Sequence, residues 1–97
     1  MALTKTQNKF LRTKALSKRP VVLLGNAGLT PAVLREIELG LGAHELLKIR
    51  LPAIERGARA ALYTEICEQT GAEAVQLIGR VAVLYRRAQK PRLELPA

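Results

Sequence analysis

The stretch that decides the fold is residues 20–31, Pro20-Val21-Val22-Leu23-Leu24-Gly25-Asn26-Ala27-Gly28-Leu29-Thr30-Pro31. Val21–Leu24 is a short apolar run, β-branched at its start, which predicts a strand buried on both faces. Thr30 and Pro31 form an N-cap and first-turn pair, so a helix is predicted to begin there. Gly25–Gly28 is therefore predicted to form a turn between a buried strand and a helix.

Two helices flank this strand in the sequence. Thr4–Gln7 fits the capping box, which predicts a first helix that runs to about Leu16. The central helix is predicted to fray at Gly40 and Gly42, because glycine favours helix ends. Both helices have apolar positions at helical spacing, so each is expected to pack one side against a core.

A second strand and a third helix follow the central helix. Apolar and charged residues alternate over part of Glu45–Leu51, which predicts a strand with one face partly exposed to solvent. His44 directly precedes this strand. A helix is predicted from about Glu55 to Thr70, with Gly71 as the residue that follows it. Its expected buried positions have i+4 spacing: Ala58, Leu62 and Ile66.

The chain is predicted to close with a hairpin. Two strands, Ala74–Ile78 and Val81–Arg86, are separated by the two-residue turn Gly79-Arg80. The order α-β-α-β-α-β-β predicts an α/β fold, in which three helices pack on one or both faces of a mixed four-stranded sheet. We expect one domain over residues 1–97, with the tail 91–97 either an edge strand or loose.

Charge is the most informative part of the composition. Sixteen Lys and Arg residues oppose eight Glu residues, for a net charge of +8. Residues 1–35 contain no acid and carry +7, residues 36–79 carry −3, and residues 80–97 carry +4. A field of one sign raises the local concentration of oppositely charged ligands, so a polyanionic partner is expected.

The candidate residues for binding a polyanion are the cations of the N-terminal part and the turn. Lys5, Lys9 and Arg12 recur at i, i+4 and i+7, which places them on a single face of the first helix. The turn could hold a phosphate by free backbone amides at a helix start. The other candidates are cations near the turn or on the strands, together with the turn residues themselves: Lys14, Lys18, Arg19, Gly25, Asn26, Ala27, Gly28, Lys48, Arg50, Arg80 and Arg86.

The sequence offers little for catalysis or metal binding. His44 and Cys67 are each the only residue of their type, Asp is absent, and Ser17 is the only serine. These residues provide neither a zinc ligand set nor a spaced nucleophile and base. We expect a non-enzymatic, cytoplasmic monomer with no metal, cofactor, small-molecule substrate or membrane association, since no apolar run reaches membrane length and the N-terminus lacks an apolar signal segment.

The chain resembles the YhbY family, bacterial single-domain members of the CRM group, whose name refers to chloroplast RNA splicing and ribosome maturation. The resemblance covers about residues 3–95 and is carried by 20–30, Glu36-Ile37-Glu38, 44–49, Thr70-Gly71-Ala72, 75–80 and Leu84-Tyr85-Arg86. It implies a fold similar to the C-terminal domain of translation initiation factor three. It also implies RNA binding, association with precursors of the large ribosomal subunit, and a Gly-x-x-Gly loop at Gly25–Gly28. Ala27 differs from many family loops and is given no side-chain role.

Two functional hypotheses remain open from the sequence. The first is a non-catalytic protein that binds large-subunit ribosomal RNA precursors and assists ribosome assembly. The alternative is a protein-interaction module that binds a ribosomal protein or an assembly factor, with basicity suited to an RNA-rich neighbourhood. Phe10, Tyr63 and Tyr85 are the only aromatic residues, so RNA recognition is expected to depend on charge and shape.

Overall fold

The computed structural model describes residues 2–97. Its elements are α1 (Lys5–Ala15), β1 (Val22–Leu23), α2 (Pro31–His44), β2 (Leu46–Arg50), α3 (Arg56–Thr70), β3 (Glu73–Ile78) and β4 (Val81–Tyr85). The strands form one sheet in the order β1-β2-β4-β3. β1 is parallel to β2, and β4 is antiparallel to both of its neighbours. The predicted α/β class, element order and mixed four-stranded sheet are confirmed.

Helices cover both faces of the sheet, which the sequence left open. Alternation along β2 directs Leu47 and Ile49 into a core shared with α2 and α3. Leu46 points to the opposite face, into a second core that contains Leu11 and Ala15 of α1. We call the side of the sheet on which α1 packs the α1 face.

β1 differs from its prediction. Val22 and Leu24 are buried, but Val21 is 60% exposed and Leu23 is 67% exposed. The prediction of a strand buried on both faces is therefore wrong. β1 is the edge strand of the sheet, and α1 packs mainly on β2, β3 and β4, so among residues 2–97 no helix packs over the second face of β1.

α2 also continues further than its glycines suggested. Gly40 and Gly42 lie inside the helix, which ends at His44 and not before it. A Cβ atom at Gly40 would lie 2.8 Å from Cδ1 of Leu47, so glycine here allows close approach of the helix to β2. The interpretation of these glycines as a frayed end is wrong, because tertiary packing explains Gly40.

α3 begins and ends as predicted but buries a different stripe. Ile66 is buried and Leu62 is partly buried, as predicted. Ala58 is exposed, so the prediction that it is a core residue is wrong. Tyr63 takes its place in the core, and its hydroxyl accepts hydrogen bonds from the amides of Val75 and Gln76 and donates one to the Val83 carbonyl. These contacts satisfy backbone groups at the irregularity in β3, between residues 74 and 76.

The C-terminal tail is held in place by a buried carboxylate. Glu45 is fully buried and accepts hydrogen bonds from the amides of Ala88, Arg92 and Leu93 at 2.9, 2.6 and 3.0 Å. Burial alone would raise the pKa of Glu45, but the three amides together hold it below the ordinary value. Leu93 and Leu95 pack against the second core, so the tail is docked without adding a strand.

Candidate nucleic-acid interface

α1 presents the predicted row of cations to solvent. Its capping box is present, with the Thr4 side chain accepting from the Gln7 amide at 3.1 Å. Leu11 and Ala15 are buried against the sheet, whereas the cations of the predicted row are exposed. These cations are Lys5, Lys9 and Arg12. The helix contains no acid, so its exposed side is positive along its whole length.

The cations after this row occupy a different place. Lys14 is exposed, and its ammonium lies 5.4 Å from the centroid of the Phe10 ring. Lys18 and Arg19 are exposed and line a shallow groove together with His44. Lys18 and Arg19 lie where the chain enters the sheet at β1, whereas Lys14 belongs to the last turn of α1.

The Gly25–Gly28 segment is a tight turn, as predicted. The Gly28 amide donates to the Gly25 carbonyl at 3.0 Å, and Gly28 has a φ of +70°. The Gly28 amide is therefore unavailable to a ligand, which corrects the expectation that the whole turn offers free amides. Within residues 2–97, the amides of Gly25, Asn26 and Ala27 donate to no acceptor, and all three residues are exposed.

The helix start beside the turn adds to its positive character. The Thr30 side chain caps α2 by accepting from the Val33 amide at 3.2 Å. The N-terminus of α2 carries the positive end of the helix dipole, and it follows the turn by two residues. The turn and the helix start together form an anion-binding geometry.

The cations at the turn's end of the sheet differ from those that directly precede the turn in the sequence. Residues 20–24 separate Arg19 from the turn, so Lys18 and Arg19 lie at the opposite end of β1. The Leu24 amide instead donates to the Arg50 carbonyl, next to Gly25. Arg80 reaches the same end of the sheet, where its Nε donates to the Leu51 carbonyl at 3.0 Å. The exposed side chains of Arg50 and Arg80 thus lie at this end of the sheet.

Two predicted RNA contacts have structural partners. Lys48 is half-buried, and its ammonium donates to the carbonyls of Ala15 and Lys18 at 2.9 and 3.3 Å, which caps the end of α1. Arg86 forms an ion pair with Glu38 at 2.7 Å and donates to the Thr70 carbonyl. Both cations are held by partners within the chain, whereas the expectation had them free on the exposed positive surface; their contact with RNA stays a prediction.

Tyr85 and Cys67 have no surface role. Tyr85, considered at the sequence level as a stacking platform for one base, is buried in the second core. Cys67 packs against the first core, and burial, with a smaller contribution from Glu73, raises the pKa of its thiol to about 11. A thiol with that pKa stays protonated at neutral pH and is a poor nucleophile.

The described residues form neither a metal site nor a membrane-spanning helix. Across residues 2–97, no three His, Cys, Asp or Glu side chains are grouped so that they could hold a metal ion. No helix in the same range is long and apolar enough to cross a membrane.

Comparison with known proteins places this geometry in a family. The family model described as the CRS1/YhbY (CRM) domain matches residues 3–86. A probable RNA-binding protein of Pseudomonas aeruginosa is 41% identical over 95 residues, which are 98% of this chain and 91% of that protein. An RNA-binding protein of Haemophilus influenzae is 39% identical, with coverage of 97% and 95%.

A solved structure agrees with the fold. The solution structure of a Staphylococcus aureus protein, described as a candidate RNA-binding protein, superimposes with a TM-score of 0.86 at 29% identity. The match covers 98% of this chain and 100% of the staphylococcal one. The predicted resemblance is confirmed, and the chain belongs to the CRS1/YhbY (CRM) domain family.

Proposed function

We propose that this protein binds structured RNA without catalysis and that, in the cytoplasm, it associates with precursors of the large-subunit ribosomal RNA to assist ribosome assembly. The exposed row on α1 and the turn are its RNA-binding elements. The observation that carries the proposal is the turn at the start of α2, where three free amides lie at the same end of the sheet as two exposed arginines. Family membership, and relatives named as RNA-binding proteins, support RNA as the ligand class.

The two elements contribute in different ways. The free amides of Gly25, Asn26 and Ala27 hold one phosphate by charge-assisted hydrogen bonds. Lys9 and Arg12 neutralise neighbouring phosphates and release condensed counterions. With about four to six phosphates neutralised, the logarithm of affinity falls with the logarithm of salt concentration with a slope of roughly −3 to −5.

The charge contribution is tested with matched variants. Lys9→Glu/Arg12→Glu removes two cations from the α1 row, whereas Arg87→Glu/Lys90→Glu makes the same charge change beside the end of α2. Filter binding to purified large-subunit ribosomal RNA is expected to weaken strongly, with a shallower salt slope, only in the first variant. Equal weakening in both variants, with native circular dichroism, would show that net charge and not this surface determines binding.

The ribosomal part of the proposal is supported by the resemblance to the YhbY family and needs its own experiment. Crosslinking in cells, followed by sequencing of the attached RNA, is expected to recover precursor large-subunit RNA with the wild-type protein. Recovery should fall in Lys9→Glu/Arg12→Glu and persist in the Arg87→Glu/Lys90→Glu control. Enrichment of messenger or transfer RNA instead would reject the ribosomal assignment and leave RNA binding standing.

A further inference from the structure

The α1 face of the sheet is left uncovered at one end. Strand register places Leu23, Arg50, Val81 and Ile78 side by side across β1, β2, β4 and β3. Alternation puts this row on the same face as Lys48, where α1 ends. α1 therefore covers the neighbouring positions, and in the described part of the chain no helix packs over the last row. We call these four residues the open row.

The open row and the end of α1 together expose much apolar surface. Ile78 is 63% exposed, and Leu16, which follows α1, is 79% exposed. Leu16, Ile78 and Val81 line one groove of about 230 Å³ between α1 and the sheet. Leu23 and Val21 extend the apolar surface along β1. Exposed apolar side chains that are contiguous, unlike scattered ones, mark interaction surfaces.

The chemistry of this surface selects its partner. All of its apolar side chains are aliphatic, whereas single-stranded bases are held chiefly on aromatic rings. Its exposed charged residues are cations: Arg12 lines the groove, and Arg50 is part of the open row. Two copies of the chain that met through this face would bring these arginines together, which like-charge repulsion opposes.

We propose that the open row and the adjoining groove form a docking surface for a protein segment that carries aliphatic side chains next to acidic ones. The aliphatic side chains pack on Leu23, Ile78 and Val81, and the acids pair with Arg12 and Arg50. The surface shares Arg12 and Arg50 with the proposed RNA-binding elements but does not contain the turn, so a bound segment leaves the amides of the turn available to RNA. The proposal goes beyond RNA binding and does not require it.

Site-specific photocrosslinking in cells tests the proposal. A photoreactive amino acid is placed at position 23 or 78, and at position 39 as a control, since Leu39 is also highly exposed but lies on α2. Crosslinked products are treated with nuclease and mapped by mass spectrometry. We expect positions 23 and 78, but not 39, to capture one protein segment rich in aliphatic and acidic residues.

The mapped segment is then synthesised and titrated against the full chain. Ile78→Ser and Arg50→Glu are each expected to weaken its binding by about tenfold or more, since a buried aliphatic side chain and a desolvated charge pair are each worth that much. Leu39→Ser should bind the segment as the wild type does. Binding of ribosomal RNA by Ile78→Ser should be unchanged, which separates this surface from the proposed function.

Four results would overturn the proposal. Crosslinks from positions 23 and 78 to RNA would assign the groove to bases, and crosslinks to a second copy of the chain would assign it to self-association. Capture no stronger than at position 39 would show that the surface is vacant in cells. Binding of the mapped segment that is insensitive to Ile78→Ser and Arg50→Glu would place the segment elsewhere.

Discussion

Replacing Gly25 by alanine separates the binding role of the turn from its role in folding. Gly25 has no positive φ, and a Cβ atom added there would meet nothing within 4 Å. The fold therefore does not require glycine at this position, in contrast to Gly28, whose φ is +70°. A phosphate that approaches the free amides of Gly25 and Asn26 does require it, because a methyl group would enter the space that the phosphate needs.

The two effects of Gly25→Ala have opposite signs. Alanine allows the unfolded chain fewer conformations than glycine does, which stabilises the folded variant by about 0.4–1 kcal/mol. The midpoint of thermal unfolding is then expected to rise by roughly 2–8 °C for a domain of this size. Loss of one charge-assisted hydrogen bond from amide to phosphate costs about 1.5–3 kcal/mol, or roughly 10- to 150-fold in affinity. The variant is expected to be more stable and to bind RNA more weakly.

The assay pairs thermal unfolding by circular dichroism with fluorescence anisotropy of a labelled ribosomal RNA fragment at one salt concentration. Gly42→Ala is the matched control, because Gly42 also has open space around its Cβ position and no positive φ, but lies in α2. It should gain up to about 1 kcal/mol of stability, the difference in helix propensity, and keep its RNA affinity. If Gly25→Ala gains stability and binds RNA as tightly as this control, the turn does not hold a phosphate.

Three further predictions concern the scaffold. Glu45→Gln should destabilise the fold by about 2–4 kcal/mol, because the amide group cannot accept from all three tail amides, and tail amides should exchange faster with deuterium. Since the pKa of Glu45 is lowered on folding, its stabilisation is complete above the ordinary value of 4.5 and is lost as the pH falls through the lower folded-state pKa; acid titration of unfolding should show this loss in the wild type and not in the variant. Tyr63→Phe should cost about 2–4 kcal/mol in urea unfolding, since it leaves amides of β3 and the Val83 carbonyl without their partner; a loss under 0.5 kcal/mol would contradict that role. Lys48→Met should lower stability by about 1 kcal/mol through the loss of the α1 cap and leave the salt slope of RNA binding nearly unchanged; a slope reduced as much as in Lys9→Glu/Arg12→Glu would return Lys48 to the RNA surface.

The sequence by itself determined the elements and their order, because local rules specify them. The capping box at Thr4, the Thr30-Pro31 helix start and the Gly79-Arg80 hairpin each depend on residues within a few positions of one another. The same locality placed Lys5, Lys9 and Arg12 on one solvent-facing side of α1, since a helix of known start has a known periodicity. The turn and its exposure followed from the glycines and the helix start.

Only the tertiary structure decided which groups remain available to a partner. Nothing in the sequence distinguishes Lys48 and Arg86 from Arg50 and Arg80. In the structure, Lys48 donates to backbone carbonyls and Arg86 pairs with a carboxylate, and these partners are distant in the sequence. Glu45 accepts hydrogen bonds from backbone amides 43 to 48 residues away. These partners could not be predicted from the sequence, because every residue except proline has a backbone amide. Whether a strand is covered on one face or on two depends on how far a separate helix extends over the sheet. The exposure of β1 and of the open row was therefore determined by tertiary packing and not by the local sequence.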